Sequence, residues 1–334
     1  MSEAEHAPAR GRTPYQLLSV LLSLVLLAAG IAVVYRRIDW RNVAEVWTKL
    51  DPGLVALAVA VYWAQCPWNT LRLERVIRWA TGRAASEMPR FGFLFRLTCS
   101  AGFVAVAAPV GLAGDVAKIA ALRMFGTLSL TDAARCALFD RVIGVQWLCV
   151  AGLVSLPFQV AAGVPPHIVV PQLMVFAGLV AAVAVLLILP RMLSLIRIAF
   201  VAKAARIFAG YDRLLLPGRS LVLMAIASVN ILLSWATLYL LLRAAGLTVN
   251  PWLVAAFIPL LQLVNGLPFL YLGWGGREIV MATTLGTMGS LTVSETLAVS
   301  IAWGAVLIVS SALNGAFLIG NWRMDARSLP ESRR

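Results

Sequence analysis

Charge is what this chain has least of. Only 13% of its 334 residues are Asp, Glu, Lys or Arg, about half the usage of a soluble domain. The shortfall is mostly acidic, with 15 acids against 28 basic residues. Histidine occurs twice, as His6 and His167, which leaves nothing from which to build a histidine-ligated haem, zinc or iron site. The four cysteines, Cys66, Cys99, Cys136 and Cys149, show no C-x-x-C spacing and fall in or beside apolar segments. They are expected as buried free thiols rather than disulfides or metal ligands. Neither a G-x-x-x-x-G-K-[ST] phosphate loop nor a G-x-S-x-G nucleophile elbow is present, so a P-loop ATPase and an elbow-type hydrolase are set aside. No cofactor, no metal and no catalytic residue is expected.

What fills the chain instead is apolar: 61% hydrophobic residues and a mean hydropathy of +0.87. A helix needs about 20 apolar residues to cross a bilayer, and this chain has several such runs, near 17–35, 53–71, 91–110, 134–156, 172–190, 220–242, 252–272 and 296–320. Two shorter runs lie between them, near 115–126 and 277–289. The fold class expected is an all-α polytopic membrane protein with about eight transmembrane helices and two short broken or re-entrant segments. Arg10 and Arg12 precede the first run as in a signal peptide, but the run from Leu17 to Tyr35 is long enough to span and reads as a retained helix.

The net charge of +13 is spread between the apolar runs rather than gathered in one stripe with interleaved aromatics, so nucleic acid is not the expected partner. Anionic lipid is. Residues 157–171 contain no Lys or Arg, whereas 72–90 (Arg72, Arg75, Arg78, Arg83, Arg90) and 191–219 (Arg191, Arg197, Lys203, Arg206, Arg213, Arg219) are rich in them. The positive-inside rule then puts both basic stretches and both termini in the cytoplasm of a multi-pass protein of the inner membrane. Arg36, Arg37, Arg41 and Lys49 run against that assignment. The division expected is a cytoplasmic head (1–14), a membrane domain (15–321, halves 15–190 and 191–321) and a basic cytoplasmic tail (322–334). Trp47, Trp63, Trp68, Trp252, Trp303 and Trp322 read as interfacial anchors, with Trp274, inside a glycine-rich bend, as the exception.

One stretch departs from the greasy pattern. Residues 108–126 read APVGLAGDVAKIAALRMFG and put Asp115 and Lys118 inside an apolar run, where ionisable groups are costly and by default functional. A helix-face i, i+3 ion pair is the simpler alternative, as snorkelling at headgroup level is for Asp140–Arg141, Arg277–Glu278 and, most strongly, Arg72. Residues 268–297 repeat the layout. Gly126 and Asp132 follow Asp115 at the same spacings as Gly289 and Glu295 follow Glu278. Each copy holds a proline, a glycine-rich bend (Pro109, Gly111 and Gly114; Pro268, Gly273, Gly275 and Gly276), an acid, a short apolar helix and a hydroxyl–acid pair, Thr131–Asp132 or Ser294–Glu295, that opens the next span. With the assigned topology the copies are inverted, the arrangement that marks a transporter's central site.

These residues resemble the lysylphosphatidylglycerol synthase transmembrane, or flippase-like, family. The resemblance rests on Pro109 to Arg123 with LSLTDAARCALFDRVIG (128–144), and on LPFLYLGWGGRE (267–278) with LTVSETLAVS (291–300). Lys118 stands where the family has arginine, Ala113 where it often has glycine, and Trp303–Gly304 where it commonly has an aromatic–arginine pair. The resemblance implies a domain that moves a phospholipid or lipid-linked headgroup between leaflets. Lys118, Arg123, Arg141 and Arg277 would meet phosphate, while Asp115, Asp140 and Glu278 would orient those cations or meet an amine. Anionic or aminoacylated phospholipids are the expected partners, together with a lipid-modifying enzyme. The alternatives are a membrane-embedded lipid or polyprenyl-phosphate transferase with Asp115 or Glu278 as base, and a non-transporting accessory subunit. Bifunctional relatives carry an aminoacyl-transferase domain after the membrane part; a chain ending at Arg334 is expected to lack that activity by itself.

Overall fold

Asp51 starts the first long helix of the described structure: its Oδ1 accepts from the backbone N–H groups of Gly53 (2.8 Å) and Leu54 (3.0 Å), and Pro52 occupies the first helical position, where it forfeits no hydrogen bond. The computed structural model describes residues 40–108, 112–124, 128–193, 208, 210–267, 273–289 and 291–319, with backbone alone for 186–193 and 319. The first expected span, both termini, the bend residues Pro109, Gly111 and Pro268, Gly126, and the cations Arg36, Arg37, Arg197, Lys203 and Arg206 lie outside the described residues.

Every described α-helix or strand position is helical. In chain order come α1 (Trp40–Thr48), α2 (Pro52–Trp63), α3 (Gln65–Thr81), α4 (Phe91–Ala107), α5 (Ala113–Met124), α6 (Leu130–Ala161), α7 (Pro166–Leu193), α8 (Pro217–Ala244), α9 (Pro251–Asn265), α10 (Gly276–Met281) and α11 (Val293–Ile319). A π-turn over Ala282–Gly286 follows α10. α6, α7, α8 and α11 are long and apolar enough to cross a membrane, and the chain is a multi-pass membrane protein. α4 and α9, at 17 and 15 residues, extend only about 25 and 22 Å, less than the roughly 30 Å of a bilayer core.

The caps of α6 and α11 correct the sequence reading in detail. The hydroxyls come from Ser129 and Thr292, three residues before the acid, rather than from Thr131 and Ser294. Asp132 N–H donates to Ser129 Oγ at 3.1 Å. Thr292 and Glu295 exchange both bonds, at 2.7 and 3.2 Å, because only an i, i+3 pair reaches back across the first turn.

α2 and α3 pack along α8, running the opposite way. At one end Asp51 N–H donates to Ala244 O (3.0 Å) and Trp47 Nε1 to Ala298 O (3.2 Å). At the other end Arg219 lies 5.7 Å from the Trp79 ring, and Tyr211 and Leu214 are buried with Ile77 and Phe139. The arginine-rich segments around 72–90 and 210–219 therefore share one end of the molecule, and Lys49, paired with Glu45 at 2.6 Å, sits at the opposite end. The cores divide accordingly. One, around Leu73, Ile77, Leu94 and Phe139, lies toward the arginine-rich end; another, around Leu238, Phe257, Leu285 and Trp303, joins α2, α8, α9 and α11. α4 packs on α11 and α6 on α9.

Apolar contact alone does not drive helices together in lipid, so close approach and interhelical hydrogen bonds carry the packing. A Cβ on Gly315 would lie 2.9 Å from the Phe103 ring, which shows how closely α11 meets α4. Gln159 and Gln172 exchange reciprocal amide bonds of 3.1 Å between α6 and α7 while Gln159 also donates to Ala256 O of α9. Gln159→Leu leaves the buried Gln172 Oε1 without its donor, while Gln172 Nε2 keeps Ile168 O, and is expected to cost about 1–3 kcal/mol. Thermal unfolding in detergent checks this, with Gln159→Leu/Gln172→Leu recovering most of the loss.

Candidate functional site

The short helix α5 is positioned by a missing side chain. A Cβ on Gly114 would lie 2.7 Å from Ala101 O and 2.8 Å from Ala105 Cβ, so only glycine lets the start of α5 lie against α4. Asp115 falls in the first turn of α5, where the positive end of the helix dipole favours a carboxylate. Asp140 and Arg141 sit on α6 about 15 Å along its axis from Leu130. The three elements bring their charges together. Arg72 Nε donates to Asp140 Oδ1 at 2.7 Å, Lys118 Nζ to Asp140 Oδ2 at 3.2 Å, and Lys118 Nζ lies 3.8 Å from Asp115 Oδ1. Arg141 Nη1 bonds Asp115 Oδ2 and its Nη2 donates to Gly266 O at 2.9 Å.

Gly266 closes α9, its N–H donating to Gln262 O and Leu263 O, which leaves its carbonyl for Arg141. Arg141 thus ties the start of α5 to the end of α9, which enters from the opposite end of the molecule to α4. The cluster faces a cavity of about 320 Å³, to which Arg72, Asp115, Lys118 and Arg141 contribute walls together with Trp63, Cys66, Asn69 and Asn314. Asp140 is 3% exposed and stands behind those walls. A larger cavity of about 390 Å³, between α7, α9 and the π-turn, has His167, Gln172 and three threonines as its polar lining; the charged groups are not there.

The second charged group is sealed. Arg277 has no solvent exposure: its Nε donates to Ser300 Oγ (2.8 Å), its Nη2 to Glu278 Oε1 (3.2 Å), and its guanidinium lies 5.3 and 5.8 Å from the rings of Trp274 and Trp303. Glu278 further accepts from Ser300 Oγ and from Gly275 N–H, both at 2.6 Å. Gly275 holds φ at +85°, a conformation open to glycine, and thereby turns its N–H onto the carboxylate. A Cβ on Gly304 would lie 3.1 Å from Arg277 Nη2 and 2.9 Å from Trp274 Cζ2. The guanidinium of Arg277 takes the space that a side chain at position 304 would fill.

The sequence-derived residues therefore separate. Asp115, Lys118 and Arg141 line the cavity and Asp140 holds Lys118 from behind; the buried Arg277 pairs separately with the partly buried Glu278; Arg123 is exposed at the last turn of α5. Three readings change. Arg72, read as an interfacial arginine, is a cavity-wall residue bonded to Asp140, because α3 continues to Thr81 and position 72 is mid-helix. Trp303, read as an interfacial anchor, is fully buried against Arg277, and Trp63 is a cavity-wall residue held by Asn314 Oδ1 at 3.0 Å. All four cysteines are free.

Gly114→Val is expected to push α5 off α4, to cost about 1–3 kcal/mol and to loosen the Asp115–Arg141 contact. A faster reaction of Cys66 in the cavity wall with a maleimide would report the opening. Metal-type clusters of three or more His, Cys, Asp or Glu do not occur among the described residues.

No curated protein sequence matches this chain. The model of the lysylphosphatidylglycerol synthase TM region matches residues 17–315. With a charged cavity inside a bundle of membrane helices and a match over most of its length, the chain belongs to the lysylphosphatidylglycerol synthase transmembrane family, membrane domains linked to lipid handling.

Proposed function

We propose that the protein translocates a phospholipid or lipid-linked headgroup between the leaflets of the inner membrane, with its arginine-rich end in the cytoplasm. One observation carries the proposal: Arg141 joins Asp115 at the break between α4 and α5 to Gly266 O at the end of α9, beside a cavity in the middle of the bundle. Irregular backbone at membrane depth is tolerated where protein or a water-filled cavity satisfies it, and broken helices meeting at such a cavity are how transporters build a central site.

The packing supports two inverted halves. α4, α5 and α6 correspond to α9, α10 with the π-turn, and α11, and the contacts are reciprocal, α4 on α11 and α6 on α9. Each half opens its short helix on a carboxylate bonded to arginine, Asp115 with Arg141 and Glu278 with Arg277. Arg141 and Gly304 stand at the same spacing after Asp115 and Glu278, so the second half supplies from position 277 the cation that the first supplies from α6. In this reading the headgroup phosphate meets Arg72, Lys118 and Arg141 while the acyl chains remain in lipid. Rocking of the halves breaks and remakes the Arg141–Gly266 contact.

Tail-labelled fluorescent phospholipids in proteoliposomes, quenched by dithionite from outside, test this. Wild type is expected to expose inner-leaflet probe in intact vesicles, and Arg141→Gln to abolish that exposure. Equal quenching by wild type and empty liposomes would overturn the proposal.

A further inference from the structure

The cavity has a second wall, opposite in character to the charged one. Gln65, Thr98 and Ser310, from α3, α4 and α11, line it at 8%, 9% and 2% exposure. Gln65 Nε2, Thr98 Oγ1 and Ser310 Oγ have no hydrogen-bond partner in the protein. Buried polar groups are almost always paired, and each one left unpaired costs about 1–3 kcal/mol. Three from three different helices, gathered around one cavity, describe a surface completed by something that carries hydroxyls. The charged wall sets the other end of that occupant. It holds three cations against two carboxylates, and both carboxylates already accept two cations each: Asp115 those of Arg141 and Lys118, Asp140 those of Arg72 and Lys118. An ammonium finds no uncommitted acid there and meets a net positive field; a phosphate finds three donors.

Resting on the translocation reading and narrowing its substrate, we infer that the cavity selects a phosphate-linked polyol headgroup, with the phosphate on Arg72, Lys118 and Arg141 and the hydroxyls on Gln65, Thr98 and Ser310. Glycerol and sugar share this chemistry. An amine-bearing headgroup is disfavoured, which separates this chain from one built for aminoacylated lipid.

The test is probe selectivity in proteoliposomes with tail-labelled phosphatidylglycerol, phosphatidic acid, phosphatidylethanolamine and a glycosylated polyprenyl phosphate. Wild type is expected to move the hydroxylated probes about tenfold faster than phosphatidic acid or phosphatidylethanolamine, one net hydrogen bond being worth roughly that factor. The more rapid of the two hydroxylated probes tells glycerol from sugar. Thr98→Val/Ser310→Ala removes only unpartnered hydroxyls, so it is expected to keep or raise thermal stability while bringing the phosphatidylglycerol to phosphatidic acid ratio to about one. Equal rates for phosphatidylglycerol and phosphatidic acid in wild type, or an unchanged ratio in the double variant, would mean that water alone completes this wall and would overturn the inference. Should no probe move, the translocation reading fails by itself. The headgroup inference then stands or falls on thermal shift of the detergent-solubilised protein: sn-glycerol 1-phosphate must stabilise wild type more than inorganic phosphate or phosphoethanolamine does, and must lose that advantage in the double variant.

Discussion

Asp140→Asn is expected to destabilise the protein by about 3–5 kcal/mol and to abolish translocation. Asp140 is nearly fully buried and is the only acid within ion-pair reach of Arg72 among the described pairs, at 2.7 Å; it also holds Lys118 at 3.2 Å. The amide keeps the shape and loses the charge. Two cations then remain in a low-dielectric setting with one carboxylate, Asp115, which Arg141 already engages, and an uncompensated buried charge is the costly outcome of breaking such a pair. A compensating variant separates stability from function. Asp140→Asn/Lys118→Met lowers the cation count with the anion count and is expected to restore much of the thermal stability without restoring transport, because a phosphate ligand has gone with it. Thermal unfolding and probe translocation on the same preparations measure both; a single variant as stable as wild type would contradict the arrangement of this cluster.

Arg277→Met is expected to have an effect of similar size by a different route. Arg277 is fully buried: it donates to Ser300 and Glu278, and its guanidinium lies against the rings of Trp274 and Trp303. Removing it leaves Glu278 with hydrogen bonds from Ser300 Oγ and Gly275 N–H but without its cation, and the expected cost is again about 3–5 kcal/mol. The two indoles lose a desolvated cation–π partner, worth about 2 kcal/mol in such sites, so a change in tryptophan emission accompanies the loss. Arg277→Met/Glu278→Gln is expected to recover more than half of it, the mark of a coupled pair. Independent, additive effects would show that the two side chains do not act as one unit.

How much of this was legible in the sequence follows from where each partner lies. The short helices were visible because Gly114, Gly275 and the acids that follow are local signals, and the starts of α6 and α11 were visible from the local pairs Thr131–Asp132 and Ser294–Glu295, although the capping hydroxyls are those of Ser129 and Thr292. The place of Arg72 in the cavity wall was not. It follows an apolar run and precedes Arg75 and Arg78, so it looks like the first of an interfacial series; its partner Asp140 lies 68 positions away, and periodicity carries no information over that distance. The neutral wall is hidden for the same reason, since Gln65, Thr98 and Ser310 lie in three separate apolar runs and nothing local distinguishes them from neighbours such as Ser100 and Ser311. Gly304 shows the converse. A missing cation in the last span has its explanation in Arg277, which folds back into the space the glycine leaves.

The central claim is that a lipid headgroup enters the cavity between the broken helices, and a photoactivatable diazirine on the headgroup of phosphatidylglycerol reports entry directly. Reconstituted protein is irradiated, digested and mapped by mass spectrometry. The account predicts label on the α3 stretch around Gln65–Asn69 and on α11 around Ser310–Asn314, strongly reduced in Arg141→Gln. Label confined to outward-facing positions such as Leu221 and Leu232, 57% and 59% exposed, and unchanged by Arg141→Gln, would contradict it.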